Sequence, residues 1–345
     1  MSEHGRSSRA VPPAAWPALG ILLLTLINVV ADAVSGRAHG VFGFGAFLHV
    51  SMPAGVPAGA IIDVLNYGSG IAILAIGMAP VIATRGVDLS VGSIMAVAGA
   101  VAATLSVSGW SSWVSIGAAL AVASLCGLWN GVLVGVLRLQ PFVATLVLMV
   151  AGRGVAQMIT GSQIATFHDP IIEYLGLGRP SFLPLPFPFI LCILLLGATL
   201  VAMRRTALGL FLESVGGNPE AARLAGVKST ALIVLTYVFS GACAGLAGLI
   251  AAANIKGADP FSAGRNSELA AIFAVVVGGT ALTGGRISLL GAFAGGLLMQ
   301  CLTTTMYSRN IQADVAPLPQ AIVILAVCIA GSGPLRRMLA GRGRA

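Results

Sequence analysis

Long apolar runs, each near twenty residues, alternate with short polar connections from residue 14 to residue 333. Runs of that length match the hydrocarbon thickness that an α-helix must cross. Ten spans are predicted, over 14–34, 61–83, 91–108, 113–136, 142–160, 186–203, 230–253, 268–283, 287–306 and 315–333. The third, eighth and ninth are short or rich in glycine. The stretch 39–60 is apolar but broken by Gly and Pro, which fits a re-entrant or interfacial piece better than a span. The first run follows a basic start, Arg6 and Arg9, and ends near Ala31-Asp32-Ala33, a tripeptide like a signal-peptidase site. The run is long enough to span, and an uncleaved first helix is expected.

One polar island interrupts the pattern, from Arg204 to Lys228. It contains a short helix with readable ends. Asn218 is suited to cap it, Pro219 to its first turn, and Glu220 to the positive end of its dipole. Ala221, Ala222, Arg223 and Leu224 favour helix, and Gly226 marks its stop. On local sequence this is either a plain solvated loop helix or a compact handle for another protein.

Composition supports the membrane reading. Only 9% of the 345 residues are charged, 57% are hydrophobic, and mean hydropathy is +0.97. Backbone groups in lipid must bond within helices, so an all-α polytopic membrane protein is expected. The net charge of +8 does not point to nucleic acid, because the basic residues sit in the connections. With the N-terminus placed in the cytoplasm, thirteen basic residues fall on that side and five on the other, with Arg153 left inside the fifth span. Both termini and the polar island are then cytoplasmic. The expected division is a tail over 1–13, a transmembrane domain over 14–333 containing the cytoplasmic loop 204–229, and a basic tail over 334–345.

The chain has no Walker-type phosphate loop, no HExxH and no Gly-x-Ser-x-Gly, and its four histidines are scattered. No catalytic residue, metal site or cofactor is expected. The five cysteines all lie in apolar runs without a CxxC pair, as packing residues do. Ionisable residues within or beside spans are few: Asp63, Asp88, Arg153 and Glu268. Arg153 is expected to pair with Asp169, Glu173 or Glu268. Neutral polar residues are commoner in the spans. Asn66, Asn130, Thr145 and Gln157 are candidates to line a path for an uncharged, polyhydroxylated substrate; the competing reading is hydrogen bonding between helices. Four GxxxG pairs, Gly127/Gly131, Gly131/Gly135, Gly241/Gly245 and Gly291/Gly295, are expected to pack helices within the chain. Two connections, Gly86–Gly92 and Gly279–Gly285, look alike and point weakly to internal duplication.

Four motifs in order carry a family resemblance: ATRGVDLSVGSIMAVAG (Ala83–Gly99), LWNGVLVGVLRLQPFVATLVLMVAGRGVAQMITG (Leu128–Gly161), GGNPEAARLAGV (Gly216–Val227) and VVVGGTALTGGRISLLGAFAGGLL (Val275–Leu298). The chain resembles the ribose/xylose/galactose-type permeases of bacterial ABC sugar importers, and within them the galactofuranose importer subunits. The resemblance implies a bundle like the type II ABC importer permeases, in the bacterial inner membrane, for a monosaccharide. It implies a second permease subunit, identical or paralogous, a cytoplasmic ABC ATPase and a periplasmic sugar-binding protein. It also implies that Gly217, Asn218, Pro219, Glu220, Ala221, Ala222 and Arg223 couple the permease to the ATPase. Arg85 departs from the family, which usually has glycine there. An ABC permease for amino acids or nucleosides, and an ion-coupled sugar carrier, are the alternatives.

Overall fold

In a computed structural model, residues 14–34, 59–178, 180, 185–309 and 311 are described, with 318, 321, 322 and 325. The helices are α1 (Ala15–Val34), α2 (Ala60–Ala83), α3 (Val91–Val107), α4 (Ser112–Gly131), α5 (Pro141–Ile159), α6 (Pro170–Leu177), α7 (Phe187–Arg205), α8 (Leu208–Gly217), α9 (Pro219–Leu224), α10 (Ser229–Ile255), α11 (Ser267–Val277) and α12 (Leu289–Ser308). A π-helical turn, Val132–Val136, continues α4. Two dipeptides, β1 (Ala165–Thr166) and β2 (Gly257–Ala258), pair antiparallel and are the one departure from an all-helical fold among the described residues.

Among the described residues, seven helices are long and apolar enough to cross a membrane: α1, α2, α4 with its π turn, α5, α7, α10 and α12. This is fewer than the ten expected, for two reasons. The third and eighth runs form the shorter helices α3 and α11. The tenth, 315–333, lies largely outside the described residues, as do the 39–58 stretch and both tails. The eleven residues of α11 rise about 16 Å, half of the roughly 30 Å of hydrocarbon. Gly278 and Gly279 end it, and the chain runs irregularly to Leu289 before α12 begins.

α2, α10 and α12 form the buried centre, and α1, α4, α5 and α7 surround them with apolar outward faces. α1 docks along α12: Asn28 donates to Thr305 Oγ1 at 2.7 Å, and Arg309 bridges to Asp32 at 3.1 Å. The glycine pairs all pack within the chain. A Cβ at Gly127 would lie 2.3 Å from the Tyr237 carbonyl of α10, and one at Gly241 would lie 2.5 Å from the Ala123 carbonyl of α4. Gly131 and Gly135 meet Val234 and Thr230, and Gly245 meets Ala123. Gly291 and Gly295 sit against Gly278 and Ala274 of the α11 segment. Small residues replace the missing hydrophobic drive between helices in lipid by allowing backbone contact. Cys126, Cys192, Cys243 and Cys301 are unbonded; Cys328 lies outside the described residues.

The contact of α4 with α10 yields a paired prediction. Gly127→Ala should force the two backbones apart and destabilise the fold by about 1–3 kcal/mol. Gly117→Ala, on the same helix with open space around it, should leave the melting temperature unchanged or slightly raised. Thermal unfolding of both variants in detergent checks this; equal melting temperatures would contradict the close packing.

Candidate functional site

The polar island folds into a ledge of two short helices, α8 and α9, after the last turn of α7. Asn218 ends α8 and caps α9. Its side-chain oxygen accepts from Glu220 N and Ala221 N, both at 3.1 Å, and Pro219 takes the first helical position. Ala222 is buried against the bundle, which fixes α9 by one face. The other face is open. Glu220 and Arg223 pair at 2.6 Å in solvent, and the Arg223 hydrogen bond and charge hold the Glu220 carboxyl below its ordinary range. Leu224 is 77% exposed and Leu210 is 70% exposed, so the ledge presents apolar side chains beside the ion pair. Exposed as it is, the ion pair contributes little stability by itself.

A second polar cluster lies inside the bundle, around the 86–90 connection between α2 and α3. Asp88 is fully buried. Its Oδ1 accepts from Ser90 Oγ at 2.6 Å and Ser90 N at 3.0 Å, and its Oδ2 accepts from Ser240 Oγ of α10 at 2.9 Å. Asn130 of α4 donates to Ser90 Oγ at 2.8 Å and to Asp88 at 3.4 Å. Thr145 of α5 donates to the Pro141 carbonyl at 2.9 Å and lies 3.3 Å from that of Val87. Ser240 is eleven residues into α10, so the cluster sits about 16 Å from that helix's first residue, well within the membrane thickness.

Above it, α3 and α11 both begin near Gly92. A Cβ there would lie 2.4 Å from Glu268 Oε2 and 3.4 Å from Arg153 Nη2, so the acid and the guanidinium converge over a bare glycine. Arg153 also donates to the Ala263 carbonyl. Of the three acids expected to pair with Arg153, Glu268 is the one whose charge acts on it, but the two form no direct ion pair. Glu268 Oε2 is buried with no hydrogen-bond partner among the described residues.

The four path candidates are therefore not one lining. Asn130 and Thr145 meet at the 86–90 connection and are both fully buried by protein groups. Asn66 donates to Asn254 Oδ1 at 3.1 Å, and Gln157 is half-buried on α5. The Asp88–Ser240 contact and the α3–α11 meeting point were missed in the sequence. Ser240 and Glu268 each lie far along the chain from their partners, and no local spacing announces them. No group of His, Cys, Asp and Glu able to hold a metal occurs among the described residues.

This arrangement is a helical bundle of membrane-spanning length with a capped ledge of two short helices at one end. The chain belongs to the family described as branched-chain amino acid transport system / permease component, whose model matches residues 60–330. It is 46% identical to the galactofuranose transporter permease protein YtfT of Escherichia coli K12 over 93% of this chain and 90% of that protein. It is 36% identical to the fructose import permease protein FruF of Bifidobacterium longum over 83% of this chain and 81% of that one. It is 38% identical to the ribose import permease protein RbsC of Escherichia coli K12, over 76% of this chain and 82% of that one. No solved structure matches the chain significantly. The protein is thus a multi-pass permease component of a bacterial ABC importer. Permeases of that class generally work with an ATPase and a binding protein.

The buried cluster predicts a split between two of the path candidates. Asn130→Leu strips a donor from a buried carboxylate and should cost about 1–3 kcal/mol, read as a lower melting temperature. Gln157→Leu should leave melting unchanged. Equal effects would contradict the structural role of Asn130.

Proposed function

We propose that this chain imports a monosaccharide, of the galactofuranose, ribose or fructose kind, as one of two permease subunits driven by a separate cytoplasmic ABC ATPase. The observation that carries the reading is the near full-length similarity to a galactofuranose permease, with two further sugar permeases beside it. The family description names an amino-acid system, which keeps an amino-acid permease as the second reading. The relatives weigh more, because their similarity is close and specific, whereas a family description covers many substrates.

The reading places the N- and C-termini and the α8–α9 ledge in the cytoplasm, following the basic residues. About ten spans complete the bundle, with α3 and α11 as partial crossings and 315–333 as the last. The segment 204–229 is then the coupling loop, and Gly217, Asn218, Pro219, Glu220, Ala221, Ala222 and Arg223 form the part that enters the ATPase. Asn66 and Gln157 are retained as weak sugar contacts. Asn130 and Thr145 reach the path only when the 86–90 connection moves. The convergence of Arg153, Glu268 and the starts of α3 and α11 is a polar step at mid-membrane, where broken helices place substrate groups in many transporters. Affinity then resides in the periplasmic sugar-binding protein, since a path must release what it conducts.

The test is uptake by the assembled transporter in vesicles. Labelled galactofuranose, ribose, fructose and leucine are offered with ATP inside, and separately with an imposed proton or sodium gradient. ATP-driven uptake of a sugar is expected. Leucine uptake would favour the second reading, and gradient-driven uptake without ATP would overturn the importer altogether. In the same system, Glu220→Arg should reduce ATP-driven uptake at least tenfold while the chain still inserts. Unchanged uptake in that variant would remove α9 from the coupling surface.

A further inference from the structure

The connection after α2 holds a strained residue that the transport reading leaves unexplained. Arg85 adopts φ +64°, the left-handed region that suits glycine and that long side chains rarely occupy. A strained conformation persists when its surroundings hold it there. Here the side chain reaches across to the ledge. Arg85 Nε donates to the Gly216 carbonyl at 2.6 Å, and Nη2 donates to the Gly217 carbonyl. These are among the last carbonyls of α8, which lack partners within their own helix and carry the negative end of its dipole. A guanidinium spans two such oxygens at once; a lysine ammonium, a point charge, does not.

The same spot ties three segments together by backbone. Gly285 N donates to the Ala83 carbonyl at 2.9 Å. A Cβ at Gly216 would overlap the Ala83 carbonyl at 1.8 Å, and one at Gly284 would press the Arg85 side chain at 2.5 Å. Glu213 of α8 accepts from Ile287 N at 3.2 Å. The end of α2 and the 279–285 connection therefore meet at the C-terminal end of α8. Behind them, an apolar cavity of about 300 Å³ is lined by Pro80, Met203, Leu208 and Leu212, among others. A displaced α8 has space to move into, and Pro80 leaves α2 short of one backbone hydrogen bond in the turn just before its end.

We propose that Arg85 is a positioning residue that latches the C-terminal end of α8 to the last turn of α2, so that displacement of the ledge is delivered to the centre of the bundle. The proposal rests on the importer reading for the source of that displacement. Its chemistry stands on the left-handed backbone and the two carbonyl bonds. Glycine at 85 relieves the strain and deletes the latch together, so it separates coupling from folding.

The experiment compares wild type, Arg85→Gly and Arg85→Lys in the assembled transporter, reading sugar taken up per ATP hydrolysed beside the melting temperature. Arg85→Gly should keep the melting temperature and ATPase assembly while uptake per ATP falls at least fivefold, with Arg85→Lys in between. Wild-type uptake per ATP in Arg85→Gly would overturn the latch. So would equal losses in both variants accompanied by lowered melting, which would make Arg85 merely structural. If the wild-type assembly shows no ATP-driven uptake, the importer reading fails instead. The latch is then judged on the chain alone by amide exchange, which must rise over residues 208–217 in Arg85→Gly, and unchanged exchange there would overturn it.

Discussion

A carboxyl group buried among neutral partners is the constraint around which this bundle is organised. Asp88 is fully enclosed, and its partners among the described residues are neutral: Ser90, Ser240 and Asn130. Burying such a polar group costs free energy unless its oxygens are hydrogen-bonded. These hydrogen bonds and the adjoining N-terminus of α3 offset that cost. The arrangement works only if α3 begins beside Asp88, well inside the membrane thickness, with α4 and α10 both in contact there. The glycine seam between α4 and α10, where Gly127 and Gly241 bring backbone to backbone, supplies that closeness. Packing and electrostatics thus fix the same three helices.

Much of this was legible in the sequence. The runs at 14–34, 61–83, 113–136 and 230–253 became helices within a few residues of their expected ends, because a long apolar run in lipid has little alternative to helix. The cap at Asn218 formed as its residue types require. The GxxxG pairs packed within the chain. The third run became α3 at its expected bounds, but the early end of α11 was not legible. Hydropathy counts apolar residues but carries no depth, so α11 and the loop that follows it read as one span. The path candidates show the same limit. Asn130 and Thr145 are polar residues on apolar helices by sequence, yet their partners, Ser90 and Val87, sit on a connection 40 and 58 residues away. Arg85 was seen as a departure from its family, but only the left-handed backbone and the reach to Gly216 and Gly217 give it a task.

The external and internal clusters are linked by a short stretch of chain. From the open face of α9, the rigid cap at Asn218 leads into the end of α8, and the Arg85 junction leads on to the turn after α2. Three residues later stands Asp88, holding α3, α4 and α10. On the proposed coupling, a push on the ledge would reach the centre of the bundle through these contacts. Bistable change in a packed core needs a stiff lever, because cores switch between discrete packings and do not deform smoothly.

The central claim is that the ledge is where the ATPase acts. A photo-crosslinking amino acid at position 221, on the open side of α9, tests it in intact cells, with position 307 at the far end of α12 as the control. The account predicts that position 221 captures a subunit that mass spectrometry identifies as an ABC ATPase, with a yield that changes when ATP is depleted, and that position 307 captures none. Capture of the ATPase at 307, or no capture at 221 while the assembled transporter remains active, would contradict it.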